Sequence, residues 1–134
     1  MKIGLVGLPG AGKRTLFSLL TGRAVPEAMK AGASLEGHAA IRDERVDAIA
    51  DICHPEKTTY AENIYVLCPD VMTGPGARTW LDAVRRCDLI CIVVRTFQDE
   101  SVYHPDGSVD EARDRANLAA ELLIADLEVV ETRL

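Results

Sequence analysis

The run Gly7-Leu8-Pro9-Gly10-Ala11-Gly12-Lys13 carries chemistry that the rest of the chain must position. Its glycines let the backbone curl until successive N–H groups face one concavity, a nest for anionic oxygens. A helix starting at the lysine adds its positive end, and the ammonium reaches the β- and γ-phosphates of a nucleotide. The spacing is the G-x-x-x-x-G-K part of a Walker A loop, which needs a strand before it and a helix after it. Pro9, Gly10, Ala11, Gly12, Lys13, Arg14 and Thr15 are therefore the expected nucleotide-binding residues.

The position after the lysine departs from the motif. A Ser or Thr there supplies a hydroxyl to Mg²⁺, whereas this chain has Arg14, with Thr15 next. A guanidinium only donates and cannot be a metal ligand. Two consequences compete: Arg14 points away and waters hold the metal, or Arg14 lies along the phosphates as a substitute cation. Either one weakens metal-assisted hydrolysis of the usual kind. Mg²⁺ remains an expected companion of the nucleotide, though not in the usual geometry.

Elements suited to holding such a loop are readable on both sides of it. Ile3-Gly4-Leu5-Val6 reads as a short buried strand. From Lys13 a helix is predicted with Leu16, Phe17 and Leu20 inward and Gly22 as its left-handed stop. Residues 23–40 show no firm period and read as a mobile loop. Asp43 is placed to cap a second helix, in which Val46, Ile49, Ala50 and Cys53 form a stripe before His54-Pro55 ends it. A strand follows at Ile64–Cys68. Gly74-Pro75-Gly76 opens a third helix, with Ala77, Trp80, Leu81 and Val84 on one stripe. Leu89–Val94 is a continuous apolar run, the mark of a strand covered on both faces. A polar loop, Gln98 to Gly107, leads to a long helix from about Val109. That alternation predicts a layered α/β fold with a mostly parallel sheet.

The last helix, within 108–134, has an unusually wide apolar face. Ala116, Ala119, Ala120, Leu123, Leu127, Val130 and Leu134 form one stripe, and Leu118, Leu122, Ala125 and Val129 a second beside it. So broad a face calls for a partner on more than one side, either a second copy or further chain.

In bulk, 134 residues with 48% apolar and 27% charged content fit one compact domain, here residues 1–134, rather than a disordered polymer. The apolar runs are too short to span a bilayer, and Met1-Lys2-Ile3-Gly4 has no signal-peptide layout. Cys53, Cys68, Cys87 and Cys91 form no Cys-x-x-Cys pair and read as buried thiols of a reducing, cytoplasmic compartment. Residues 1–96 carry 12 Lys and Arg against 11 Asp and Glu, whereas residues 97–134 carry 3 against 10. That acidic end would repel nucleic-acid phosphates and reads as a solvated helix face.

The opening Ile3 to Lys13, with Thr15-Leu16-Phe17 and Leu20-Thr21, resembles the YchF/Obg-like ATPases, a branch of the translation-factor-related P-loop GTPases. The likeness returns at Asp43 to Ala50. It is most specific at Val93-Val94-Arg95-Thr96-Phe97, Val102-Tyr103-His104 and Glu121 to Glu128, so it runs collinearly along nearly the whole chain. The resemblance implies a P-loop NTPase domain of G-domain type, with the long C-terminal helix as the start of the family's coiled coil. It further implies binding and hydrolysis of GTP or ATP in the cytoplasm, and association with ribosomes. It implies, too, a loop histidine in place of the usual catalytic glutamine, and His104 occupies the matching place.

Several family features are altered here. The switch I counterpart around Ser34-Leu35-Glu36 is shortened, which leaves Ser34 as the candidate γ-phosphate-sensing hydroxyl. Cys68-Pro69-Asp70-Val71 stands where Asp-x-x-Gly is expected, and proline has no N–H to give. Thr15, Ser34 and Asp70 are the remaining metal candidates. The family's base-reading motif and later strands lie beyond residue 134, so an open sheet edge, self-association or a completing chain is expected. Impaired hydrolysis follows from the same alterations. Two alternatives stand beside this reading. One is a nucleoside monophosphate kinase, whose loop resembles Gly7-x-Pro9-Gly10-Ala11-Gly12-Lys13-x-Thr15 although no arginine-rich lid is found. The other is a non-hydrolysing interaction module.

Overall fold

The computed structural model describes residues 1–27, 29–30, 32–72 and 78–133. In chain order it contains β1 (Lys2–Val6), α1 (Lys13–Thr21), β2 (Leu35–Ile41), α2 (Glu44–Cys53), β3 (Ala61–Leu67), α3 (Thr79–Val84), β4 (Leu89–Ile92) and α4 (Glu111–Arg133). The sheet order is β2-β3-β1-β4. β1 pairs in parallel with β3 (Ile3 opposite Tyr65) and with β4 (Gly4 opposite Ile90), and β2 runs antiparallel to β3. The phosphate-loop strand is thus flanked on both sides, and its C-terminal end points where the loop begins.

Alternation along the central strands feeds two cores. Leu5 and Leu67 pack with Phe17 of α1, while Val6 and Val66 pack with Trp80, Leu81 and Val84 of α3 and with Leu118 and Ala125 of α4. A sheet between helices on both faces is the expected three-layer α/β arrangement. Phe17 and Trp80 are fully buried, each stabilising the fold by roughly 1.5–3 kcal/mol.

Where the structure departs from the sequence reading, packing explains why. Residues 23–40 are not all loop, because Leu35–Ile41 is a strand. Its inward positions are Leu35, Gly37 and Ala39, and the last two are too small to give a strong alternation signal. Gly37 is required there: a Cβ would come within 2.9 Å of both Phe17 and Thr21. Helix α2 starts under the Asp43 cap and stops at His54, as expected. Its supposed core stripe is not buried, however, and Ile49 is exposed. Gly74-Pro75-Gly76 and Ala77 lie outside the described residues; Trp80, Leu81 and Val84 are buried as expected.

β4 is an edge strand rather than one covered on both faces, and Leu89, Ile90 and Ile92 keep substantial exposure. On α4 the stripe holding Leu118, Leu122 and Ala125 meets the core, whereas Leu123, Leu127 and Val130 face outward. Leu134 lies outside the described residues. The cysteines are unpaired, and only Cys68 is fully buried; Cys53 is exposed.

Candidate functional site

The loop leaves β1 at Gly7, where there is no room for a side chain: a Cβ would sit 2.3 Å from the Val93 carbonyl oxygen. Gly10 and Gly12 hold φ of 73° and 90°, a left-handed backbone that glycine adopts without strain. Gly12 is the N-cap of α1 and gives it no side-chain hydrogen bond. The first turn of α1 holds no acidic residue but does hold Lys13 and Arg14, two cations on the positive end of the helix. Its opening N–H groups have no partner within the helix. Amides and cations thus converge on one place, a cleft of about 390 Å³ lined by Gly10, Ala11, Gly12, Lys13, Arg14, Thr15, Asp70, Phe97 and Val102.

Lys13 is only 4% exposed. Its Nζ donates to the carbonyls of Gly7 (2.7 Å) and Leu8 (2.9 Å) and to Asp70 Oδ1 (2.6 Å). Burial pushes the ammonium below the ordinary lysine range, and the Asp70 carboxylate pulls it partly back. Two carbonyls fix the stem from behind, so the third bond, to a half-exposed carboxylate, is the one an arriving phosphate can replace.

Of the other expected residues, Thr15 and Arg14 are exposed at the cleft, and Pro9 lies behind the loop. Ser34 is exposed just before β2 and lines no cleft described here. Asp70 is brought to the loop, facing Lys13. His104 is 6% exposed, with Nε2 2.9 Å from Asp114 Oδ2 and Nδ1 accepting the Asp106 N–H. Because Nδ1 accepts, the ring hydrogen lies on Nε2 and is donated to Asp114. Arg113 holds the other Asp114 oxygen at 2.9 Å. The imidazole therefore sits behind the loop beside Pro9 and Ala11, not in the cleft lined by Gly10–Thr15.

Three residues that the sequence marks only by their family likeness contribute to the cleft. Phe97 and Val102 wall the cleft, and Arg95 sets them there. The Arg95 guanidinium donates to the carbonyls of Phe97 (3.1 Å), Asp99 (3.0 Å) and Val102 (2.9 Å), with its carbon 4.6 Å from the Phe97 ring centroid. Arg95 in the apolar run's wake was the available signal, since a buried guanidinium needs several acceptors. A second cleft, of about 270 Å³, adjoins the first through Lys13, Arg14 and Asp70 and adds Met29, Lys30 and Gly32. A larger cavity of about 590 Å³ lies along residues 95–109 and includes none of the residues Gly7–Thr15.

No family model matches the chain. It is 37% identical over 142 residues to the ribosome-binding ATPase YchF of Mycoplasma pneumoniae, an alignment covering 100% of this chain and 39% of that protein. It is 33% identical to Obg-like ATPase 1 of Oryza sativa subsp. indica, covering 100% of this chain and 36% of that one. The solved structure of the Schizosaccharomyces pombe YchF GTPase superposes with a TM-score of 0.75 at 33% identity, over 99% of this chain and 38% of that chain. Along its whole length the chain is similar to proteins of the YchF/Obg-like family. It spans about two fifths of the length of these relatives. Within the YchF-like fold, the loop and α1 carry the left-handed glycines, the uncapped helix start and the buried lysine. No helix among the described residues is long and apolar enough to cross a membrane.

Proposed function

We propose that this chain binds GTP or ATP through Pro9, Gly10, Ala11, Gly12, Lys13, Arg14 and Thr15. The supporting observation is the buried Lys13 ammonium at the mouth of an uncapped, cation-bearing helix. The loop amides and the α1 terminus receive the phosphate oxygens. Lys13 neutralises them after exchanging Asp70 for the ligand. Titration of the protein with ATP and with GTP by calorimetry tests this, and saturable heat with at least one of them is the expected result. Residues 1–134 are on this reading the opening part of a P-loop nucleotide-binding domain, with 108–134 its long amphipathic helix.

Hydrolysis is proposed to be weak. Thr15 and Asp70 are the oxygen ligands the cleft offers Mg²⁺, Ser34 lying outside it, and Asp70 is released to a metal only once phosphate has replaced it on Lys13. His104 takes part only if its ring leaves Asp114, so His104→Ala in a phosphate-release assay measures that contribution directly. Release of phosphate without AMP or UMP distinguishes this activity from a monophosphate kinase, and binding without turnover marks an interaction module. The ribosome is the proposed large partner and the cytoplasm the proposed compartment, carried over from relatives named as ribosome-binding. The outward stripe of α4 and the free side of β4 are the proposed surfaces for self-association or a completing chain. Light scattering across a concentration series reports the former.

A further inference from the structure

We infer that Arg14, with Lys30, supplies the charge a divalent cation would bring, so that this chain holds its nucleoside triphosphate without a metal. This rests on the nucleotide reading above and specifies the electrostatics of the same site.

The donor chemistry around the loop does not suit Mg²⁺, a hard cation that demands near-octahedral oxygen ligation. The side chain following Lys13 carries five N–H donors and no acceptor. Asp70, which accepts from Lys13 at 2.6 Å until phosphate takes its place, is the one carboxylate lining these clefts among the described residues. Among the described residues there is no cluster of three His, Cys, Asp or Glu side chains able to hold a metal. A cation placed there would also face Lys13, Arg14 and Lys30 around a single carboxylate.

That same arrangement suits a polyphosphate. Arg14 lines both adjoining clefts, the one at Gly10–Thr15 and the one reaching Lys30 and Gly32. It is exposed, and among the described residues neither its guanidinium nor the Lys30 ammonium has a hydrogen-bonding or ion-pair partner, although the Lys30 carbonyl accepts the Ala33 N–H. Its charge also disfavours the nearby Lys13 ammonium, so the two cations repel until an anion comes between them. Together Arg14 and Lys30 bring the same double positive charge as one Mg²⁺. The planar fork of Arg14 can in addition grip two phosphate oxygens at once. Metal-free neutralisation thus follows from the cations that this chain already carries, without any side chain moving from the core.

The test is calorimetric titration of the full chain with ATP and GTP, first in excess Mg²⁺ and then in EDTA. Wild-type affinity is expected to agree between the two within about threefold, below the factor of ten that 1.4 kcal/mol represents. Arg14→Ser is expected to lose roughly tenfold or more in EDTA and to recover part of it with Mg²⁺, as removal of a charge-assisted contact predicts. Lys30→Ala should show a smaller loss of the same kind. Both side chains are exposed, and unchanged thermal midpoints would show that folding is intact. If wild type binds in Mg²⁺ but loses tenfold or more in EDTA, the nucleotide reading stands and metal replacement is overturned. Unchanged EDTA affinity in Arg14→Ser overturns it as well. If neither nucleotide binds under either condition, both readings fall together.

Discussion

Helices α1 and α2 begin in opposite ways. At α2 the Asp43 carboxylate accepts the Arg45 N–H, and Glu44 and Asp47 place negative charge in the first turn. That end satisfies itself. At α1 the cap is a glycine without a side chain, the first turn is cationic, and a buried ammonium leans on a carboxylate from a distant part of the chain. An end left so poorly compensated within the protein is suited to an anionic visitor, while a self-capped end is structural. The lesson is that the electrostatic debt of a helix terminus, judged against a neighbour in the same molecule, separates site from scaffold.

The contrast can be broken most severely at Lys13. Lys13→Ala is expected to lower ATP and GTP affinity by about a hundredfold or more, because charge-assisted contacts to phosphate are among the strongest polar contacts available; near-wild-type calorimetry would erase the distinction between the two helix starts. Gly7→Ala should lower unfolding free energy by about 2–3 kcal/mol in urea melts, since a Cβ there meets the Val93 carbonyl and backbone must shift. On the other side of the comparison, Asp43→Ala should cost about 1 kcal/mol of stability and leave nucleotide affinity untouched. A binding defect in that variant would show that α2 is not merely scaffold.

The contrast is sharpened by pH. Burial lowers the Lys13 ammonium beneath the ordinary lysine value of 10.5. Between the lowered value and 10.5 the unfolded chain holds more protons than the folded one, so this group's contribution makes stability rise with pH. Nucleotide affinity should fall over the same interval, because the neutral amine no longer attracts phosphate. Parallel urea melts and titrations would reveal the two opposite slopes, and affinity that is flat up to 10.5 would contradict the role given to Lys13. The smallest effect belongs to Asp70→Asn. Removing a half-exposed counter-ion should raise affinity about threefold, whereas a loss in Mg²⁺ would identify Asp70 as a metal ligand instead.

The parts of the molecule legible in the sequence were those with local rules. Gly7 to Lys13, the Gly22 stop and the Asp43 cap each need only residues within a few positions, and the structure places all three as their types require. β2 is hidden because two of its inward residues after Leu35 are Gly37 and Ala39, and Gly37 fits against Phe17 and Thr21 by close approach rather than by hydrophobic bulk. β4 looked like an interior strand because composition does not reveal which neighbour is lacking. The Lys13–Asp70 contact joins residues 57 apart, and the burial of His104 depends on Asp114 from a different element. Neither pairing leaves a periodic trace, so both required coordinates.

Arg95 shows how economically a wall of the cleft is specified. Its guanidinium gathers three carbonyls from a stretch lacking regular secondary structure, standing in for the ladder of amides that a strand or helix would have provided. The shape of that stretch is therefore encoded in one codon rather than spread along a segment. Drift at Arg95 would let Phe97 and Val102 slacken their outline around the loop while every residue proposed to touch phosphate stayed the same.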